Sequence, residues 1–153
     1  MIISRATIDD ADEILKLQKL AYRIEAERYS NYDIPPLKQT LEDIQSQFKT
    51  HIFLKAVSDG KIIGTVRAYE ENGTCYIGRL AVRPDCQNRG IGAALMNAIE
   101  GCYKPKRFEL FTGSKSDNNI HLYEKSGYTI CKSDKYECGD IRIYYMEKMP
   151  AEL

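Results

Sequence analysis

The run Gln87-Asn88-Arg89-Gly90-Ile91-Gly92 joins a strand-like segment, residues 75–82, to a helix-like segment that begins at residue 91. A loop of this kind brings several backbone N–H groups to a helix N-terminus, where the helix dipole favours negative charge. The glycines lack a Cβ, so a ligand can approach the main chain closely. The pattern predicts a phosphate or pyrophosphate site, and the alternative interpretation is a simple tight turn that enters a helix.

Two common nucleotide-binding motifs do not fit this loop. A Walker-type loop needs Gly, four residues and then Gly-Lys-Ser/Thr, and the chain resembles it only superficially at residues 113–116. The dinucleotide fingerprint needs a third glycine three residues after Gly92, where the chain has Leu95. A nucleotide-binding domain is therefore the weaker class of function; it would predict ATP or NAD binding.

Length and composition restrict the remaining classes. The chain has 153 residues, which fits a single domain, 1–153. Lys+Arg and Asp+Glu number 22 each, so the formal net charge is zero, which argues against an extended nucleic-acid surface. No apolar run approaches the roughly 18 residues of a membrane span, and no secretory signal is visible. We therefore expect a cytoplasmic protein without nucleic-acid or membrane partners.

Cysteine and histidine usage argues against a zinc site. The chain has five cysteines and two histidines, and no Cys-x-x-Cys spacing occurs. We expect reduced thiols and no metal. The cysteines are Cys75, Cys86, Cys102, Cys131 and Cys138.

The first third of the chain reads as a short strand followed by helices. A strand is expected at residues 1–6, and Asp9 or Asp10 can cap a helix that runs toward Ser30. Residues 31–39 contain Pro35-Pro36 and predict a break, after which Thr40 can cap a short helix to about residue 48. The apolar face of the first helix is predicted to contain Ile14, Leu17, Ala21 and Ile24.

Three antiparallel strands are expected next, at residues 52–58, 61–70 and 74–82. Asp59-Gly60 and Asn72-Gly73 are strong signals for the tight turns between them. A helix at 91–102 should follow, with a buried stripe made of Ile91, Leu95, Ala98, Ile99 and Cys102.

The last part of the chain completes the sheet. We expect a strand at 108–112, a helix capped by Ser116 or Asp117 that ends at Gly127, and strands at 128–132 and 141–149. The order β-α-α-β-β-β-α-β-α-β-β predicts an α+β fold, with a mixed, mostly antiparallel sheet and helices on both faces.

Two blocks of sequence resemble the GNAT superfamily of N-acyltransferases. Residues 77–84 (IGRLAVRP) together with 87–92 (QNRGIG) are similar to its acyl-CoA signature. Residues 118–128 (NNIHLYEKSGY) are similar to its second conserved segment. The two blocks have the expected order and separation. The resemblance implies that acetyl-CoA is the acyl donor and that an amine is the acceptor; it also admits a homodimer.

The resemblance assigns roles to this chain's residues. The backbone of Leu80 and Val82 would pair with the pantetheine arm, and an N–H near Leu80 would polarise the thioester carbonyl. Gln87 would fix the loop, and Arg89 would add positive charge. The implied coenzyme-binding residues are Leu80, Ala81, Val82, Gln87, Asn88, Arg89, Gly90, Ile91, Gly92, Ala93, Asn119 and Tyr123.

Tyr123 would face the coenzyme sulfur and protonate the leaving thiolate. With reference pKa values near 8.5 for a thiol and 10 for a phenol, full transfer is uphill by about 2 kcal/mol, so a hydrogen-bond donor is the better description. On spacing alone a core tyrosine is the favoured interpretation of Tyr123, and its position within the second conserved segment reverses that preference. Asn119 stands where many relatives have a small apolar residue, and Ser116 stands where they often have asparagine. We expect Asn119 to be the residue that contacts the coenzyme. Its alternative role is that of a helix cap.

The general base is not identifiable from the sequence, because the strand before the glycine loop contains no acid. A lysine-like amine costs about 4.6 kcal/mol to deprotonate at pH 7, so a base is useful. Glu25 and Glu27 are candidates, with solvated helix charges as the alternative. Tyr22, Tyr29 and Tyr32 could line an amine pocket through cation–π contacts or simply pack.

The sequence thus predicts an N-acetyltransferase that moves an acetyl group to a primary amine of a small molecule by direct attack. A peptide or protein N-acetyltransferase is the alternative among enzymes. A non-catalytic acyl-CoA-binding module of the same fold is the alternative outside them.

Overall fold

The molecule is built around a mixed sheet. The computed structural model describes residues 1–137 and 139–151 of the chain, so Cys138 lies outside the described residues. The strand order is β1-β2-β3-β4-β5-β7-β6, and β4 and β5 form the parallel pair. The strands are β1 (Ile2–Arg5), β2 (Ile52–Ser58), β3 (Lys61–Glu71), β4 (Thr74–Val82), β5 (Arg107–Gly113), β6 (Thr129–Lys135) and β7 (Arg142–Lys148). The helices are α1 (Ala11–Tyr29), α2 (Pro35–Lys38), α3 (Leu41–Gln47), α4 (Ile91–Glu100) and α5 (Asp117–Lys125).

The two predicted tight turns are present between β2, β3 and β4. Asp59 and Gly60 have φ values of 51° and 74°, and Asn72 and Gly73 have 52° and 84°. Two successive positive φ values match the twist of the flanking strands, and Asp-Gly and Asn-Gly adopt them at low cost. These turns fix the register of the strand that leads to the glycine loop.

Helices cover both faces of the sheet, as predicted. Leu54 on β2 packs in a core that contains Leu95 and Ile99 of α4. Its neighbour Phe53 points to the opposite face and packs with Ile14 of α1 and Ile44 of α3. Successive strand residues alternate between the faces, so one strand supplies both cores. The fold is therefore the predicted α+β architecture.

The predicted break at residues 31–39 is partly wrong. Ser30 ends α1 with a φ of 50°, but Pro35 and Pro36 then begin the one-turn helix α2. Proline is tolerated in the first turn of a helix, because its missing N–H would have no intrahelical partner there.

Two predicted apolar positions are also wrong. Ile24 is 43% exposed, because the second half of α1 lies over a cleft rather than over the core. Cys102 is exposed because α4 ends at Glu100. Met96, which is 1% exposed, fills the core beneath this helix instead.

The strands β4 and β5 separate after a short paired segment. Their register runs only from Thr74↔Arg107 to Tyr76↔Glu109 in the described part of the chain. On the other side of β4, Thr65 pairs with Ala81 while Arg67 pairs with Gly78, so β4 contains one extra residue. Arg79 lies in this bulge with a φ of 53°. A bulge bends its strand and increases its twist, and a cleft opens here between β4 and β5.

Candidate active site

Two cavities occupy this cleft. The loop cavity, of about 450 Å³, is lined by the end of β4, the glycine loop, the start of α4 and one side of α5. The strand cavity, of about 280 Å³, lies between β4 and β5 beneath α1 and α3. Tyr22, Glu25 and Asn119 line both cavities. The two spaces therefore meet at these three side chains.

The loop cavity contains uncapped backbone amides at the N-terminus of α4. Gly90 is the N-cap, with a φ of 77°, and no side chain caps the helix. The first amide with a helical partner is that of Ala94, which donates to the Gly90 carbonyl at 3.0 Å. The amides of Ile91, Gly92 and Ala93 thus precede the helical hydrogen bonds and line a cavity large enough for a diphosphate. The residues present fit a bound pyrophosphate.

Gln87 lines the loop cavity and contacts the end of β4, whereas Arg89 faces away from the cavity. The Gln87 Nε2 group donates to the Val82 carbonyl at 3.1 Å, which ties the loop to the end of β4 as predicted. Arg89 is exposed and does not line the loop cavity. The left-handed backbone at Asn88 and Gly90 turns the intervening side chain toward solvent. The structure therefore does not place Arg89 as a charge on the anion site.

The last residues of β4 form one wall of the loop cavity. Leu80, Ala81 and Val82 all line it. The Leu80 carbonyl accepts a hydrogen bond from the Tyr22 hydroxyl at 3.2 Å, and the Val82 carbonyl accepts the one from Gln87. Each carbonyl has a second lone pair, so a strand-like ligand can still pair with this edge.

Tyr123 on α5 is 7% exposed and lines the strand cavity together with Asn119, one turn earlier. Its ring packs edge-on against Tyr128 at 6.3 Å between centroids. Burial, with smaller contributions from Tyr22 and Glu25, raises the pKa of Tyr123 well above its ordinary value. The phenol therefore stays protonated and can serve as a hydrogen-bond donor. The neighbouring Asn118 is exposed and lines only the loop cavity, whereas Asn119 lines both cavities.

Glu25 is the carboxylate at the junction of the cavities. Its Oε2 accepts a hydrogen bond from the Ser116 hydroxyl at 2.5 Å, and its Oε1 pairs with the Arg28 guanidinium at 2.7 Å. Ser116 precedes α5 but does not cap it, because its hydroxyl is directed to Glu25. This contact joins residues 91 positions apart, and nothing in the local sequence signals it.

Tyr29 supports this arrangement from α1. Its hydroxyl accepts a hydrogen bond from the Lys115 amide at 2.8 Å and lies 3.2 Å from the Ser116 hydroxyl. The ring lies against Gly113, where an added Cβ would overlap the Tyr29 hydroxyl and lie 2.6 Å from its Cζ. A glycine at position 113 is what lets Tyr29 reach Ser116.

We expect Gly113→Ala to destabilise the protein by about 1–3 kcal/mol, the usual range for forced overpacking. Tyr29 must move away and lose both hydrogen bonds. Urea unfolding measures the change, with Gly78→Ala as the control because a Cβ there meets nothing within 4 Å. Equal stability of the two variants would contradict this account.

Two predicted acceptor-site residues lie elsewhere. Tyr32 is 57% exposed and lines neither cavity, because the chain turns outward after the left-handed Ser30. Glu27 is exposed on the side of α1 away from both cavities. Tyr22, Glu25 and Tyr29, in contrast, all line the strand cavity.

The inner part of the strand cavity contains residues that the sequence reasoning missed. Arg67, 4% exposed, and Arg79 both line it, beside His51. Burial, and then the neighbouring charge of Arg79, lowers the pKa of Arg67 to about 9. Burial, and then Arg67, lowers the pKa of His51. The sequence carried one signal for this site, which was the basic residue Arg67 within the mostly apolar strand β3.

Within residues 1–137 and 139–151, no group of three or more His, Cys, Asp or Glu residues is arranged to hold a metal ion. In the same part of the chain, no helix has the length and apolar character needed to cross a bilayer.

Comparisons with known proteins agree with this geometry. The profile of the Acetyltransferase (GNAT) family matches residues 12–128. The UPF0157 protein YqkA of Bacillus subtilis (strain 168) is 33% identical over 131 residues, which are 84% of this chain and 37% of that protein. The chain thus spans only 37% of the length of this curated relative.

Solved structures share the fold. The PaiA N-acetyltransferase of Thermoplasma acidophilum, in complex with coenzyme A, has a TM-score of 0.80 at 17% identity, over 98% of this chain and 100% of that one. The ribosomal-protein-S18-alanine N-acetyltransferase of Escherichia coli has a TM-score of 0.79 at 17% identity, over 99% and 95% of the two chains. At these identities the likeness concerns the fold.

Proposed function

The chain belongs to the GNAT family of acetyltransferases, and we propose that it transfers the acetyl group of acetyl-CoA to a primary amine of a small molecule. It is an acyltransferase, and acetyl-CoA is the acyl donor of its family. The observation that carries the proposal is the meeting of the two cavities at Tyr22, Glu25 and Asn119. A donor held in one cavity and an acceptor held in the other would come together there.

The loop cavity would hold the coenzyme. The amides of Ile91, Gly92 and Ala93 would bind the pyrophosphate, and Gln87 would keep the loop in place. The edge of β4 at Leu80 and Val82 would pair with the pantetheine arm. When bound, acetyl-CoA supplies a thioester as the activated acyl group.

Three groups in the walls of the two cavities would then assist the transfer. The N–H at Leu80 would polarise the thioester carbonyl. The Tyr123 hydroxyl would donate a hydrogen bond to the sulfur as the thiolate leaves, and its raised pKa makes full proton transfer unfavourable. Asn119 would orient the bound donor from α5.

Glu25 is the group best placed to accept the amine's proton. It is the junction carboxylate, and Ser116 and Arg28 hold it in one orientation. The attacking nitrogen must be uncharged, and a lysine-like amine costs about 4.6 kcal/mol to deprotonate at pH 7. A carboxylate beside the entering ammonium binds the charged form and receives one proton before attack. The neutral amine then forms the N–C bond, the C–S bond breaks, and the second proton lost by the nitrogen passes through water to the leaving thiolate.

The size of the strand cavity supports a small acceptor. Its volume of about 280 Å³ is just below the 300–1,000 Å³ typical of small-molecule sites. A peptide amine remains the alternative acceptor. A homodimer and a cytoplasmic location remain predictions.

Two measurements test the proposed function. Isothermal titration calorimetry with coenzyme A measures donor binding, and thiol release from acetyl-CoA with a panel of primary amines and short peptides measures transfer. We expect coenzyme binding and thiol release with at least one small amine. Coenzyme binding without thiol release above background would instead identify a non-catalytic module, and release only with peptides would identify a peptide acetyltransferase.

We expect Glu25→Gln to lower kcat/KM for the amine about 10-fold at pH 7, which is below the usual range of about 100- to 10,000-fold for general acid–base catalysis because water in the cleft can partly replace the carboxylate. Glutamine can still accept the Ser116 hydrogen bond, so the local geometry should survive. The matched control is Glu27→Gln, which removes an exposed carboxylate from the same helix. Equal kcat/KM values for the two variants would exclude Glu25 as the base.

A further inference from the structure

Arg67 is a buried cation whose direct partners are neutral. Its Nη1 donates to the Gln18 Oε1 at 2.9 Å, and its Nη2 donates to the Gln39 Oε1 at 2.8 Å. Its guanidinium carbon lies 5.1 Å from the centre of the Phe53 ring. These contacts fix the guanidinium in position but leave its positive charge without a contacting carboxylate. Asp43 connects to it only through Gln39, which donates to Asp43 at 2.9 Å.

Arg79 adds a second positive charge to the same cavity. Its side chain forms no hydrogen bond or ion pair with the described residues, and its bulged backbone lies between Gly78 and the Leu80 edge of β4. The two guanidiniums repel each other across a partly desolvated space, which is one reason for the lowered pKa of Arg67. Such an arrangement favours a bound anion.

The carboxylates of the cavity wall do not supply that anion. Glu25 pairs with Arg28 at 2.7 Å, and Glu109 pairs with Arg107 at 3.0 Å. The His51 imidazole, with its lowered pKa, responds to the same positive field. Neither of these two carboxylates contacts Arg67 or Arg79, although Arg107 is itself shared between Glu109 and Glu147, at 3.1 Å from Glu147.

We propose that the acceptor carries a carboxylate as well as its primary amine, and that Arg67 and Arg79 bind this carboxylate while Glu25 receives the amine. This assignment rests on the proposed acetyl transfer. A guanidinium matches a carboxylate with paired N–H donors. The result is selectivity for a zwitterionic small molecule.

Tyr22 indicates that the acidic end of the strand cavity, at Glu25, lies close to its basic end, at Arg67 and Arg79. Burial raises the pKa of this phenol. The charges of Arg79 and Arg67 oppose this rise, and the charge of Glu25 adds to it. All four side chains line the same cavity of about 280 Å³, so the acidic and the basic end lie in one small space. The acceptor that fits is a compact amino acid, with few bonds between its amine and its carboxylate.

The test uses matched acceptors: glycine, β-alanine and 4-aminobutyrate, each compared with its carboxamide. For the best acceptor, we expect kcat/KM for the acid to exceed that for the amide at least 10-fold. In Arg79→Gln this ratio should fall toward 1, because kcat/KM for the acid falls further than kcat/KM for the amide. Because the acid-to-amide ratio of kcat/KM is compared between the wild type and the variant, the intrinsic difference in reactivity between the two amines cancels. Arg79→Lys should retain part of the preference.

The matched control is Arg5→Gln, which removes an exposed charge at the far edge of the sheet and should leave the ratio unchanged. A ratio that is the same in the wild type and Arg79→Gln would overturn the assignment, while turnover of the amides would leave the proposed function intact. If no amine supports thiol release, calorimetry of the same acids on the coenzyme-saturated protein decides: binding lost in Arg79→Gln supports the anion site, and no binding refutes it.

Discussion

Gly92→Glu is expected to weaken coenzyme A binding at least about 100-fold, which corresponds to about 2.7 kcal/mol. The new carboxylate would stand among the uncapped amides at the N-terminus of α4, where the pyrophosphate is expected. Two unit charges about 4 Å apart repel by about 4 kcal/mol near a protein surface. The added side chain also crowds Leu122, whose Cδ2 would lie 3.1 Å from a Cβ at position 92.

Calorimetry with coenzyme A measures this loss, and two controls separate its causes. Gly92→Ala adds only the Cβ, so its affinity reports the effect of crowding. Asn97→Glu adds the same charge to an exposed position of α4, so its affinity reports net charge alone. Coenzyme affinity in Gly92→Glu equal to that of the wild type would remove the glycine loop from the binding site and with it the basis of the proposed function.

Tyr123→Phe is expected to lower kcat about 100-fold, at the low end of the range for a group that assists proton transfer. The ring is retained, so packing against Tyr128 and coenzyme affinity should change little. The lost group is a protonated hydroxyl in the strand cavity that has no hydrogen-bond partner among the described residues. The measurement is single-turnover thiol release, which isolates the chemical step from product release.

Tyr128→Phe is the control for removal of a buried hydroxyl from the same core. Tyr128 is 1% exposed and donates to Glu100 at 2.9 Å, outside both cavities. We expect this variant to lose about 1.5–3 kcal/mol of stability, because the hydroxyl donates to a carboxylate, and to retain kcat. A Tyr123→Phe enzyme as fast as the wild type would show that another group, or water, assists the leaving thiolate.

Local chemistry made most of the fold predictable. Asp59-Gly60 and Asn72-Gly73 specify their turns by themselves, so the strands around them were placed nearly to the residue. The predicted family and fold class are confirmed, and the acyltransferase activity with acetyl-CoA as donor stays a proposal that rests on membership of this family. Ile24 was misplaced because helical periodicity identifies an apolar face without saying whether core or cleft lies beneath it.

The candidate site was only half predictable. Gly90, Gly92 and Tyr123 belong to short motifs, so the sequence identified them, although their roles remain predictions. The contact between Ser116 and Glu25 depends on how α1 crosses the start of α5, which no local pattern encodes. Arg67 was missed because an arginine in a strand ordinarily indicates a solvent-facing position, whereas here the separation of β4 and β5 lets it face a cavity.

The single extra residue in β4 has a consequence for the energetics of ligand capture. The bulge lies in the pairing of β3 with β4, and β4 and β5 stop pairing after Tyr76↔Glu109, so the groove is part of the geometry of the sheet itself. No strand pairing has to be broken on association, and the free energy of contact is not diminished by an opening step. Entry of the donor should therefore resemble docking to a rigid surface, with a rate governed by diffusion and orientation rather than by a conformational gate.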